Sequence, residues 1–167
     1  MHSTIGLFGT CGNSTWRDSF IKDYNEKGIF FFNPQLPAGT WTPGCAKEEN
    51  THLMNDGVIL FPVTHETTGQ GSLAEIGFSI LASLRRNPDR YFIFMIDDDC
   101  TDPNASESAI KDSIRSRKLV KSKLQEVAKE NDGVFLVDSL AEMFDLSTLL
   151  ISQIKMFNDI KVKYKSL

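Results

Sequence analysis

Glu75 is the residue best placed to do chemistry in this sequence of 167 residues. Residues 57–63, before its loop, are apolar and rich in branched side chains, which predicts a buried parallel strand. Ile76, Ile80 and Leu84 then recur at helical spacing. A carboxylate in the first turns of such a helix lies beside the carboxyl end of the strand, where open parallel sheets bind ligands. Glu75 is therefore a candidate nucleophile, base or ligand orienter, unless its charge only stabilises the start of the helix.

Five apolar runs predict the strands of the domain. They cover residues 4–8, 29–32, 57–63, 91–96 and 133–137. Helical patterns separate and follow them, including residues 46–55 and, as the longest, 106–130 and 146–164. The alternation predicts one α/β domain over residues 1–167, with a three-layer, doubly wound, five-stranded parallel sheet. We expect the flavodoxin-like, or Rossmann-like, strand order 2-1-3-4-5.

In this strand order, four loops meet at the carboxyl edge of the sheet. They cover residues 9–13, 33–45, 64–75 and 97–104. The result is a small polar mouth above an apolar sheet, the usual place for a small-molecule site. The loops carry neither a P-loop nor a dinucleotide fingerprint, so no cofactor is expected. The aspartates at 97–99 can bind magnesium, but such a run is more often solvated, and we predict no metal site.

Some side chains near this mouth allow two interpretations. Trp16 and Trp41 are predicted core or lid residues that can also stack on a nucleobase. His65 and Glu66 are predicted to be solvated. Arg117 falls within the apolar stripe of its helix, more than two turns from the loops. We expect its charged end to reach solvent or to contact another subunit.

Composition argues against several classes of partner. The net charge of −4 lacks the positive field that nucleic-acid binding requires. Three widely spaced cysteines match no zinc pattern and predict reduced thiols in the cytoplasm. The chain begins without a basic segment followed by an apolar core, and no apolar run reaches the roughly 18 residues of a membrane span. We therefore expect neither a nucleic-acid nor a membrane partner.

Four motifs follow one another along the first part of the chain. They read Gly-Thr-Cys-x-x-Ser-Thr-Trp-Arg over 9–17, Phe-Asn-Pro over 32–34, Trp-Thr-Pro-x-Cys over 41–45 and Thr-Gly-x-x-Ser-x-Ala-Glu over 68–75. Together they resemble the nucleoside 2-deoxyribosyltransferase-like proteins. Members of that family are related in fold to nucleotide N-glycosidases and, more distantly, to TIR domains that cleave NAD.

The resemblance implies cleavage of the N-glycosidic bond of a (deoxy)nucleoside or nucleotide, by hydrolysis or by transfer to another base. Glu75 would attack the anomeric carbon and form a covalent glycosyl-enzyme. Glu48 or Glu49, on the helix before the third strand, would supply a second acid, and the enzyme would be a homo-oligomer. The implied substrate-binding residues are Gly9, Thr10, Cys11, Trp16, Asn33, Pro34, Trp41, Thr68, Gly71, Ser72 and Asp97.

The sequence departs from the transferase pattern at two places. An aspartate precedes the nucleophile in such transferases, whereas the nearest position here is Gly69. The tyrosine of their first strand has no counterpart, because residues 5–8 read Ile-Gly-Leu-Phe. These differences favour hydrolysis over base exchange. They also keep a second hypothesis open, a non-catalytic sensor that binds a nucleotide-like ligand at the same mouth.

Overall fold

The computed structural model describes residues 2–37, 40, 42–87 and 89–165 of the chain. Five parallel strands form one sheet in the order β2-β1-β3-β4-β5. The predicted doubly wound α/β architecture and its strand order are confirmed. The strands are β1 (His2–Leu7), β2 (Phe31–Phe32), β3 (Asp56–Val63), β4 (Tyr91–Ile96) and β5 (Val134–Val137).

The central strands β3 and β4 are buried on both faces of the sheet. Side chains of β3 alternate between the faces, so Val58 and Leu60 enter one core while Ile59 and Phe61 enter the other. β2 is shorter than predicted. The turn that closes the preceding helix extends to Ile29, whose N–H donates to a helix carbonyl at 2.9 Å and therefore does not join the sheet.

Helices cover both faces of the sheet, with the first and last on one face and the others opposite. They are α1 (Trp16–Glu26), α2 (Pro43–Asn55), α3 (Gln70–Glu75), α4 (Leu81–Arg86), α5 (Glu107–Glu130) and α6 (Leu140–Lys165), with a π-helical turn (Ile76–Ile80) between α3 and α4. None of the described helices is long and apolar enough to cross a bilayer.

Two helices begin earlier than predicted, because capping groups precede their apolar patterns. The hydroxyl of Thr42 accepts the N–H of Cys45, and Pro43 suits the first position of α2. At α6, the hydroxyl of Ser139 accepts the N–H of Glu142 at 3.1 Å. The helix therefore starts at Leu140 rather than near residue 146.

Three fully buried arginines, Arg17, Arg90 and Arg117, fasten the ends of the strands. Each donates several hydrogen bonds to backbone carbonyls and so helps to satisfy acceptors that are shielded from water. Arg90 acts at the amino edge, where it bonds to the carbonyls of Leu53 and Asp56 at 2.8 and 3.2 Å. The other two act at the carboxyl edge, where they shape the candidate site.

Candidate active site

The loop after β1 is held by Arg17. Its guanidinium donates to the carbonyls of Leu7 (2.9 Å), Thr10 (2.5 Å) and Gly9 (3.3 Å). Gly9 has a φ of +93°, and a Cβ there would lie 2.4 Å from the carbonyl oxygen of Pro62. Only glycine lets the loop pass so close to β3. The hydrogen bonds of Arg17 to this loop fix its positive charge at the end of β1.

Glu75 and Glu49 lie near this charge and near each other. Burial raises the pKa of Glu75 to about 7, the negative charge of Glu49 adds to the effect, and Arg17 opposes it. Burial also raises the pKa of Glu49, again against Arg17. Glu48 is exposed on the outer side of α2. Of the two acids considered for this helix, the structure thus brings Glu49 to Glu75.

The backbone around Glu75 is unusual for a helix. Glu75 is the last residue of α3, and the π-helical turn begins at the next residue, Ile76. A π-helical turn carries an extra residue per hydrogen-bonded turn and occurs frequently at functional sites. Ile76 and Ile80 remain buried in the core through this turn, so it changes the helix without loosening its packing.

Arg117, a residue of α5, holds the loop after β3 in place. Its guanidinium donates to the carbonyls of Val63 (2.9 Å), Thr64 (2.9 Å) and Thr67 (2.7 Å). The prediction that this side chain reaches solvent or another subunit is wrong. Arg117 lies ten residues, or about 15 Å, beyond the first residue of α5, yet its guanidinium reaches the carbonyls of Val63 and Asp97 at the ends of β3 and β4. The arginine therefore lies level with the end of β3.

Gly69 allows the same loop to pack tightly. It has a φ of +63°, and an added Cβ would lie 2.7 Å from Cγ1 of Val63 and 3.2 Å from Nη2 of Arg117. Both the backbone conformation and the lack of space exclude a larger residue. An aspartate at this position is thus incompatible with the observed loop.

A chain of hydrogen bonds between side chains joins the first and third loops. The hydroxyl of Thr64 contacts those of Thr10 at 2.8 Å and Ser14 at 2.6 Å, and the hydroxyl of Ser14 donates to a carboxylate oxygen of Glu66 at 3.3 Å. Burial would raise the pKa of Glu66, but hydrogen bonds from Thr64, its own N–H and Ser14, with the nearby His65, lower it overall. Glu66 is half-buried and held in place, so the prediction that it is solvated is wrong.

Asp97 crosslinks the third and fourth loops. Its Oδ2 accepts the backbone N–H of His65 at 2.8 Å and contacts Nδ1 of the same residue at 2.9 Å. His65 is exposed, as predicted. No group of three or more potential metal ligands lies close together in the described part of the chain.

The other predicted substrate-binding residues differ in how open they are. Trp16 is only 4% exposed and packs edge-on against Phe20, so its ring is not free to stack on a nucleobase. Cys11 and Gly71 are exposed, while Pro34 and Ser72 are half-buried. The carboxamide oxygen of Asn33 accepts the N–H of Gln35, and the N–H of Thr68 donates to Asp102. Trp41 lies outside the described residues.

Sequence reasoning missed the contribution of Arg17, Ser14 and Thr64 to this site. For Arg17 a signal exists, because it shares helical spacing with the buried Phe20 and Tyr24, where an arginine requires partners. Ser14 precedes α1, where Ser14 or Thr15 is a candidate cap, but the hydroxyl of Ser14 contacts Thr64. That contact joins residues 50 positions apart, which no local pattern reveals.

A cavity of about 600 Å³ lies at the opposite, amino edge of the sheet. It is lined by Asn87, Asp89, Tyr91 and side chains of α6 between residues 153 and 161. Its walls are mainly amide and apolar groups. The converging ionisable groups lie at the carboxyl edge, and we therefore place the candidate active site there.

Comparison with known proteins yields no family. The sequence matches no family model, and no curated protein matches it. Among solved structures, the chain is similar to the crystal structure of the RPS4 and RRS1 TIR domain heterodimer, with 12% sequence identity and a TM-score of 0.48. That similarity covers 90% of this chain and 91% of the other. It carries no inference about function.

Proposed function

We propose that this protein cleaves the N-glycosidic bond of a (deoxy)nucleoside or nucleotide. The observation that carries the proposal is the convergence of Glu75, Glu49 and Arg17 at the end of β1. Two carboxyl groups with raised pKa values suit a reaction that needs a nucleophile and a proton donor near neutral pH. The resemblance of four sequence motifs to nucleoside 2-deoxyribosyltransferase-like proteins suggests the same chemistry.

In the proposed reaction, the ionised carboxylate of Glu75 attacks the anomeric carbon. The bond from that carbon to the base nitrogen breaks, and the electron pair leaves with the base, which takes a proton from Glu49. A water molecule then gives up a proton to Glu49 and attacks the glycosyl ester, which releases the sugar and restores Glu75. Splitting the displacement into two steps in this way lowers the barrier of each.

Hydrolysis is preferred over transfer to a second base in this proposal. The transferases that the sequence resembles carry an aspartate before the nucleophile. The nearest position in this chain is Gly69, whose conformation and surroundings exclude a side chain. Glu66 is the carboxylate of this loop that hydrogen bonds hold in place. Because its contacts with Ser14 and Thr64 direct it toward the first loop, it does not take the position of the missing aspartate.

The test is incubation of the protein with a panel of (deoxy)nucleosides, their 5′-phosphates and NAD, followed by chromatography of the free base. We expect release from at least one of them, and we expect Glu75→Ala to lower the rate by a factor on the order of 10⁴ or more. If no compound releases base, or if Glu75→Ala leaves the rate unchanged, the proposal is wrong.

A matched pair of variants separates the two neighbouring acids on α2. Glu49→Gln should slow the reaction and shift its pH dependence, since removal of this negative charge lowers the pKa of Glu75. The rising limb of kcat/KM should then move to lower pH. Glu48→Gln, one residue away and exposed, should change neither. Equal effects of both substitutions would exclude a specific role for Glu49.

A sensor that binds a nucleotide-like ligand without turnover is the second candidate, because the chain lacks a side chain at Gly69. It predicts thermal stabilisation by a ligand that stays intact. A ligand at ten times its Kd should add about 1.4 kcal/mol to the free energy of unfolding. Stabilisation that survives Glu75→Gln, with no free base after prolonged incubation, would favour the sensor.

A further inference from the structure

The last helix extends beyond the sheet that it covers. Its last core residue is Ile154, and Asn158 donates to the hydroxyl of Ser3, near the start of β1, at 3.0 Å. Residues 159–165 therefore continue past the amino edge, by about 10 Å at the rise of an α-helix. We call residues 155–165, the part of α6 that follows its last core residue, the overhang.

The overhang exposes four large apolar side chains on one side, while Val162 is exposed on the opposite side. The exposed fractions are 61% for Met156, 56% for Phe157, 46% for Ile160 and 63% for Tyr164. At 100° per residue, these four positions fall within an arc of about 100°. The arc lies opposite the buried Ile151, and at its edge Met156 and Phe157 line the open cavity at the amino edge of the sheet.

Lysines border this apolar arc on both sides. By the same geometry Lys163 lies at one border and Lys161 at the other. The ammonium group of Lys161 lies 4.5 Å from the ring centre of Phe157, and that of Lys163 lies 5.2 Å from the ring centre of Tyr164. Long lysine side chains in this position can keep their stems on the apolar arc while the charges reach an adjacent polar layer.

The charge of the overhang is opposite to that of the whole chain. It contains four lysines and one aspartate, a surplus of three positive charges, although the net charge of the protein is −4. The acidic groups of the mouth lie at the other end of strands of six to eight residues, or about 20–26 Å away. Salt at physiological strength screens charges over about 8 Å, so the acids of the mouth do not offset the charge of the overhang. Asp89, which lines the amino-edge cavity together with Lys161, offsets one of its positive charges.

We propose that the overhang of α6 binds the surface of membranes that contain anionic phospholipids. An apolar arc bordered by lysines suits the boundary between acyl chains and negatively charged headgroups. A second copy of the chain is a poorer match, because antiparallel packing of two overhangs would bring their lysines together. The expectation of no membrane partner rested on the lack of a spanning segment, which does not test binding to a surface.

The test is sedimentation of the full-length protein with two kinds of vesicle, neutral phosphatidylcholine alone and the same lipid with about 30% phosphatidylserine. We expect at least roughly tenfold tighter binding to the anionic vesicles, weakened by added salt. Binding to neither kind, or equal binding to both, overturns the proposal.

Variants with matched controls locate the contact. Each lysine strengthens binding to an anionic surface roughly fivefold, so Lys161→Gln with Lys163→Gln should weaken it roughly 25-fold. Lys118→Gln with Lys123→Gln, two exposed lysines of α5, should have little effect. Phe157→Glu should also abolish binding, whereas Leu119→Glu, at a position 61% exposed on α5, should not.

Sedimentation equilibrium without lipid tests the alternative, in which a second copy of the chain covers the overhang. The proposal expects no self-association that depends on the overhang. A stable dimer that Phe157→Glu converts to a monomer would assign the arc to a second copy and overturn the proposal. Because each substituted side chain is exposed or borders solvent, unchanged thermal unfolding should show that the variants are folded.

Discussion

A carboxyl group whose pKa is raised by burial destabilises the folded protein once it ionises. Folding raises the pKa of Glu75 from 4.5 to about 7, so the folded state holds this proton more tightly than the unfolded chain does. The resulting stability is fully present below pH 4.5 and is lost as the pH rises to about 7. A group suited to chemistry at neutral pH therefore weakens the fold there.

Glu75→Gln should increase the stability of the protein at pH 8. We expect a gain of about 1–2 kcal/mol in the free energy of unfolding, allowing for screening of a group that is partly open to solvent. The gain should shrink at pH 5, where the wild-type carboxyl group is protonated. Denaturant unfolding at both pH values measures it, with Glu48→Gln as the exposed control. A less stable Glu75→Gln protein at pH 8 would contradict the raised pKa.

Two glycines in the loop and helix before Glu75 should respond in opposite ways to substitution. Gly69→Ala introduces a side chain at positive φ and a 2.7 Å contact, and should cost about 1–3 kcal/mol. Gly71 lies in α3 with nothing within 4 Å of an added Cβ. Gly71→Ala should therefore be neutral or stabilise by up to about 1 kcal/mol. Thermal unfolding of the two variants distinguishes these outcomes, and similar losses at both would contradict them.

The role of a site residue can be predicted from the sequence when its position along the chain determines which element carries it. Glu75 lies in the short helical segment after a buried strand, and the apolar patterns on both sides of it indicate this position. Glu49 cannot be separated from Glu48 in this way, because a small rotation of α2 would exchange them. The position of Glu66 depends on hydrogen bonds with hydroxyl groups from two loops, and it therefore cannot be predicted from the sequence.

The loop after β3 depends on α5 through Arg117 and through Ser113, whose hydroxyl donates to the carbonyl of Thr68 at 2.7 Å. Arg117→Met should leave the carbonyl of Thr64 buried without a donor, at a cost of about 1–3 kcal/mol. The carbonyl of Val63 keeps the N–H of Asp97, and that of Thr67 keeps only the weak thiol donor of Cys100. Hydrogen exchange should accelerate in residues 64–69 more than in β4. Arg115→Met removes only a pair with Asp112 that is exposed on both sides and should change stability by less than about 0.5 kcal/mol. Equal effects would show that Arg117 does not hold the loop.

Elements with a buried centre are the ones that the sequence predicts best. β4 matches its predicted range at both ends, since all six residues are apolar and polar residues flank them. The boundaries of α2 and α6 shift because a serine or threonine ahead of the apolar pattern caps each helix. The π-helical turn after Glu75 lies within a continuous helical pattern, so spacing alone gives no indication of it.

The parallel doubly wound sheet, as a property of the whole chain, follows from the alternation of strands and helices together with right-handed crossovers. The order 2-1-3-4-5 is one of the two common orders of such sheets. The position of each strand in the sheet also determines what it exposes. β2 and β5 form the two edges, and they are the shortest strands, with two and four residues. The long apolar strands β3 and β4 lie at the centre, with neighbours on both sides.

Exposed strand edges offer unpaired backbone groups to the strands of other molecules, which is a common origin of fibrils. An edge of two residues presents too few successive donors and acceptors for a foreign strand to pair stably, and Pro34 follows it without an N–H to donate. The same shortness that makes β2 difficult to delimit in the sequence thus protects the folded protein against aggregation.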